Sequence, residues 1–269
     1  MRLYNEGVRH FQGDGVPRNA ADAAKFFRQA ADLGNPGAKH NLGVMYLTGN
    51  GVTNDAVQAA HWLAQAAEQG LAEAQFKLAS LCAAGLGVTQ DMKSAAQWAR
   101  KAAEQGHSDA AYNLAALYAS GNGVEQDFAQ AAHWYRQAAD KGNISAQSNL
   151  GVLYARGQGV PQDAKEAIAW FRKAAEQGHP FAQYNLARSH VEGKAVAKDL
   201  VEAYKWLILA SDQGDRDARK DRIELGLQIT ASDIAEAIRR AHAFSARLKA
   251  SLTNSPASTP TSLSATARP

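Results

Sequence analysis

Residues 38–73 read AKHNLGVMYLTGNGVTNDAVQAAHWLAQAAEQGLAE, and their spacing decides the fold. Ala38, Leu42, Tyr46 and Gly49 follow one another at intervals of four, four and three, which places them on one stripe of a helix. Gly49-Asn50-Gly51 stops that helix, because glycine enters the left-handed conformation that ends helices without steric cost. Asp55 then offers a carboxylate to the free amides of a second helix, whose buried stripe holds Ala59, Trp62 and Ala66. Gly70 closes it. The stretch predicts two antiparallel helices of roughly 12 and 14 residues, about 18 and 21 Å long at 1.5 Å per residue.

Outward from this stretch the pattern returns every 36 residues. Trp62, Trp98, Trp134, Trp170 and Trp206 are all the tryptophans of the chain and keep that spacing, with Phe26 in the same phase of the first copy. Gly34, Gly70, Gly106, Gly142, Gly178 and Gly214 form a second register, and the leucines from Leu42 to Leu186 a third. Ala38, Ala74, Ala110, Ala146, Ala182 and Ala218 form a fourth. One helix pair cannot bury both its faces, so copies must stack, each touching mainly its neighbours. Small residues at Gly43, Ala79, Ala115 and Gly151 let helices approach while the aromatics fill the gaps.

In residues 146–181 the pattern stands as Ala146, Leu150-Gly151, Tyr154, Gly157-Gln158-Gly159-Val160, Asp163, Ala167, Trp170, Ala174-Ala175 and Gly178. This resembles the Sel-1-like repeat, a relative of the tetratricopeptide repeat with a longer period. The resemblance implies an all-α, right-handed α/α superhelical solenoid of six 36-residue helix-turn-helix repeats. They span 2–37, 38–73, 74–109, 110–145, 146–181 and 182–217. End copies depart from the pattern: Glu6 and Phe26 replace Leu and Trp in the first, His190 and Ala195 replace Tyr and Gly in the sixth. Inside the array, Cys82 takes the tyrosine's place in the third copy. Over 218–250, Ile223, Leu227, Ile234, Ile238 and Phe244 point to two capping helices, the second entered through Ser232. Residues 251–269, rich in Ser, Thr, Pro and Ala, read as a disordered tail.

Composition limits the function. The chain has 269 residues, 46% hydrophobic and 20% charged, enough to bury a core. A formal charge of +3 with no long Lys/Arg run argues against nucleic acid, and no apolar run is long enough for a membrane span. With one cysteine, Cys82, the fold holds without an internal disulfide. No apolar leader follows Met1, which favours the cytoplasm; periplasm or secretion stays open if the chain begins further upstream.

Candidate chemistry reads as structure at each point. Repeated Gly-x-Gly, from Gly13/Gly15 to Gly157/Gly159, lacks the preceding strand and third glycine of a nucleotide loop. The eight histidines include no pair with metal-ligand spacing; His61 and His133 share one repeat phase, His107 and His179 another. Asp55, Asp91, Asp127, Asp163 and Asp199 precede second helices and read as caps. Cys82, in a packed phase, reads as an inert thiol. No catalytic, cofactor or metal residues are therefore expected.

The resemblance implies that first helices line a concave wall. Residues there that change between copies are the expected protein-binding positions: Tyr4, Phe11, His40, Val44, Leu47, Phe76, Tyr112, Ser148, Arg156, Tyr184 and Arg188. Such a lining suits an extended peptide or a helix. The expected function is a non-enzymatic adaptor in a bacterial signalling, envelope or host-contact complex, with its oligomeric state open. Two alternatives remain, a cell-wall-related protein that binds or hydrolyses β-lactams, and a docking fragment of a larger regulatory protein.

Overall fold

The computed structural model describes residues 1–254, which form fourteen helices and no strand. First helices of the pairs are α1 (Arg2–Gln12), α3 (Pro36–Thr48), α5 (Ala72–Ala84), α7 (Ser108–Ser120), α9 (Ile144–Arg156) and α11 (Pro180–Glu192). Their partners are α2 (Ala20–Asp32), α4 (Ala56–Glu68), α6 (Met92–Glu104), α8 (Phe128–Asp140), α10 (Ala164–Glu176) and α12 (Leu200–Asp212). Helices α3 and α4 each run 13 residues. The first begins two residues before the leading Ala38, at Pro36, whose fixed φ suits the first helical position.

The caps explain these boundaries. Asp55 Oδ1 accepts from the amides of Val57 and Gln58, both at 3.0 Å, and Asp91, Asp127 and Asp163 repeat the arrangement. Asp199 accepts from Glu202 at 2.9 Å, and Asn19 takes the role in the first copy. The aspartate row is thus a set of helix caps. First helices are capped by Asn35, Asn143 and, less commonly for such a position, by His107 and His179 through Nδ1.

Gly87 shows what the second loop glycine does in the second to fifth copies. Its φ is +72°, and a Cβ there would lie 1.9 Å from the carbonyl oxygen of Ala56, at the start of the preceding copy's second helix. The loop lies directly on that helix end. Ala195 holds the same loop position in the sixth copy and keeps a φ of +59°. An alanine costs about 1–2 kcal/mol in that region and glycine almost nothing. Ala195→Gly should therefore stabilise the chain by about 1 kcal/mol, read as a higher urea midpoint.

The described residues divide into two compact units, Met1–Gln126 and 127–254. In the first, Phe27, Leu42 and Met45 pack with Trp62, and Leu63, Leu78 and Leu81 with Cys82. In the second, Phe171, Leu186, Trp206 and Leu207 join Leu225, Ala237 and Phe244. Buried glutamines cross between helices in both. Gln183 Nε2 donates to the Ala175 carbonyl at 3.2 Å, in the last turn of α10, and its Oε1 accepts from Gln213 at 3.0 Å. Gln147 does the same with Ala139 and Gln177, and Gln75 with Ala67 and Gln105. Each one adds a second donor to a helix-end carbonyl that already accepts from the amide of the turn glycine, Gly70, Gly142 or Gly178, at 3.0 Å.

The C-terminal helices are α13 (Arg216–Gly226) and α14 (Ala231–Asn254). Entry to α14 is through Thr230, not Ser232: the Asp233 amide donates to Thr230 Oγ1 at 3.1 Å, and Thr230 N and Oγ1 donate back to the Asp233 carboxylate. The cap's core also differs from expectation. Ile223, Leu227 and Ile238 are exposed, Leu227 at 85%, while Leu225, Ala237, Ala241 and Phe244 are buried. Helix α14 extends to Asn254, past the expected tail boundary at 251. The rest of that expected tail, residues 255–269, lies outside the described residues. Among the described residues, no helix is long and apolar enough to cross a membrane.

Candidate functional site

Phase sets the direction of a residue on the first helices, and its depth varies from copy to copy. Tyr4, His40, Phe76, Tyr112, Ser148 and Tyr184 share one phase. The four larger aromatics are half-buried, whereas His40 is 7% exposed and Ser148 1%. Val44 and Arg188 share the next phase, one helical turn on; Val44 is 3% exposed and Arg188 projects into solvent. The sequence puts His40, Val44 and Ser148 among the partner-binding positions, and the structure buries them among their neighbours instead. Side-chain length alone does not decide this, since Ser80, at the phase of Val44, is exposed and Val152 is half-buried.

In the first unit, Tyr4 tilts against Phe27 with ring centroids 5.8 Å apart, and Phe11 lies beneath the guanidinium of Arg18 at 5.9 Å. Leu47 packs at the edge of the Leu63–Leu78 cluster. Phe76 stacks on the His107 ring at 4.5 Å, and His107 Nε2 lies 2.9 Å from the Glu73 carboxylate. That contact, together with nearby positive charge, holds Glu73 below the usual carboxylate range. With Nδ1 of His107 accepting the Ala110 amide, the Nε2 proton faces Glu73. Tyr112 is half-buried beside the half-buried Asn113.

In the second unit, the structure brings Tyr184 and Arg188 together, the guanidinium 5.9 Å from the ring centroid. Arg188 also pairs with Glu192 at 3.4 Å. Burial, and then the Asp221 carboxylate to which it is hydrogen-bonded, raise the Tyr184 phenol. Beside Arg188 is a cleft of about 180 Å³, walled by Val191, Glu192, Asp221, Glu224 and Leu225. Arg156, the last residue of α9, is exposed. Nothing in the sequence reading marked Asp221 or the Glu73–His107 pair. Glu73 and His107 are 34 residues apart, just under one repeat, the separation at which neighbouring copies meet.

Cys82 is 8% exposed, and burial raises its thiol pKa, followed by the negative charge of Asp91. A thiol so placed is a poor nucleophile. Among the described residues, no group of three or more His, Cys, Asp or Glu side chains is arranged to hold a metal ion.

Two histidines make stability depend on pH. Burial lowers the pKa of His40 and His179 from the ordinary 6.5. The folded chain therefore holds both neutral where the unfolded chain would take up protons. Their contribution is complete above about pH 6.5 and is lost as pH falls towards the depressed values. Asn35 and Asn143 already cap equivalent helices. His179→Asn should thus keep the cap while shrinking the fall in melting temperature between pH 7.5 and 5.5, measured by circular dichroism. An unchanged fall would clear His179 of the effect.

The chain matches the Sel1 repeat over residues 3–35, 36–71, 72–107, 108–143, 144–179 and 180–215. From the second copy on, these windows open with the first helices. No curated protein is similar enough to match. Among solved structures, a protective antigen of uropathogenic Escherichia coli strains, displaying an SLR fold, is 33% identical with a TM-score of 0.66. The match covers 90% of this chain, which spans 60% of the antigen's length. A Sel1 repeat protein from Oxalobacter formigenes is 29% identical with a TM-score of 0.70, over 89% of this chain and 98% of that one.

Proposed function

The chain belongs to the Sel1 repeat family, and from that premise we propose that it is a docking scaffold for another protein, with no chemistry of its own. The partner is an extended peptide or a helix, received by the first helices within a bacterial complex. One observation carries this reading. Tyr112-Asn113 in the first unit and Tyr184-Asn185 in the second emerge at one phase between buried neighbours, Ala111 and Leu114 in the one and Gln183 and Leu186 in the other, and Tyr4-Asn5 emerges at the same phase at the start of the array. A flat aromatic ring gives contact area at a small entropic cost, and a side-chain amide can both donate to and accept from a peptide backbone.

The test is photo-crosslinking in the native organism. A crosslinking residue at Tyr112 or Tyr184 should trap a discrete protein, and the same residue at Gln97, exposed on α6, should not. Adducts from Gln97 alone would move the docking surface to the second helices and overturn the proposal. So would turnover of a small molecule by the purified chain.

A further inference from the structure

Successive copies are joined by a cation that recurs. Arg28 of α2 donates to the Tyr46 hydroxyl, and its guanidinium lies 5.7 Å from the Tyr46 ring and 5.5 Å from that of Trp62. Arg136 of α8 makes the same clamp on Tyr154 and Trp170, at 5.6 and 5.4 Å. Arg100 likewise donates to Tyr118, with its guanidinium 5.6 Å from that ring. Each arginine stands 18 residues before its tyrosine.

At the junction of the second and third copies both partners are replaced. Ala64 stands in the arginine's phase and Cys82 in the tyrosine's. The tryptophan that the missing arginine would cover is Trp98. It alone of the five is only partly buried; Trp62, Trp134, Trp170 and Trp206 are 7, 6, 4 and 4% exposed. Lys101 lies 4.0 Å from the Trp98 ring, but it does not take the arginine's place. Its counterpart Lys173 lies 3.8 Å from Trp170, a ring that carries Arg136 as well. Trp98 therefore has one cation where Trp170 has two.

We propose that this junction is a socket for an arginine side chain of a partner protein, whose guanidinium lies on Trp98 beside Ala64 and Cys82 and completes in trans the clamp that other junctions complete in cis. The filled copies specify the ligand. A planar guanidinium stacks on the ring face and presents several donors at once, which a lysine ammonium does not. Different residues carry the first-helix docking surface, so either idea can fail alone.

The probe is the blocked peptide acetyl-Gly-Arg-Gly-amide at millimolar concentration, compared with its lysine counterpart. The readout is the indole N–H resonance of Trp98 in the full chain, identified by its loss in Trp98→Phe. The arginine peptide should move this resonance saturably, and the lysine peptide by about a third as much or less, given the stacking difference between the two cations. Ala64→Arg/Cys82→Tyr installs the pair found at three other junctions, so it should keep the helical circular-dichroism signal and abolish the response. A silent Trp98, equal shifts with both peptides, or a response that survives in the double variant would overturn the socket.

Discussion

Gly87→Ala is expected to cost about 4 kcal/mol, near the upper end for single substitutions. Two effects add. A positive φ strains any side chain by about 1–2 kcal/mol. The larger part comes from contact: the new methyl would meet the Ala56 oxygen at 1.9 Å and its carbon at 2.3 Å. Those are backbone atoms of the first turn of α4, and they can retreat only if the loop lifts off the helix. Gly15 supplies the control. Its φ is +68°, but the nearest foreign atom to an added Cβ is the Arg9 guanidinium at 3.3 Å, the end of a flexible side chain. Gly15→Ala should cost only about 1 kcal/mol, the strain alone. Urea unfolding of both variants measures the difference, and equal losses would mean that backbone conformation, not stacking, selects these glycines.

Trp170→Ala should cost about 4 kcal/mol and Trp98→Ala about half that. The first ring is 4% exposed within the Arg136 clamp, so its removal leaves a cavity as well as losing burial. The second is already partly in water, and less apolar area is at stake. In a repeat protein the loss falls first on the stack holding the altered residue, so an early unfolding phase is expected beside a less affected one. Matching unfolding curves for the two variants would show that tryptophan phase fixes energetic weight regardless of neighbours.

The architecture was legible because its determinants are local and repeated. Loop glycines, aspartate caps and tryptophans recur once in every helix pair, so a single stretch such as 38–73 already contains them. The binding surface was less so. Phase gives the direction of His40, Val44 and Ser148 but not their depth, which depends on the copy alongside: Val44 is buried where Val152, at the same phase, is half-buried. The clamp lies between these cases. An arginine 18 residues before a tyrosine can be read from the sequence, and so can the joint replacement at Ala64 and Cys82. What the sequence withholds is that the ring beneath is the one tryptophan left partly exposed. At the C-terminal end the loss of register removes the guide, and three branched or long apolar residues, Ile223, Leu227 and Ile238, proved to face solvent.

The glycine joint presses on main chain, and this makes it indifferent to what the opposing residue is. Gly51 meets Ala20, Gly87 meets Ala56, Gly123 meets Met92 and Gly159 meets Phe128. An in-frame tandem duplication of one such segment would therefore inherit a working joint on the day it arose, with no compensating substitution. Descent by copying of whole segments, followed by drift in the side chains that emerge, is open to a protein whose connections are made this way.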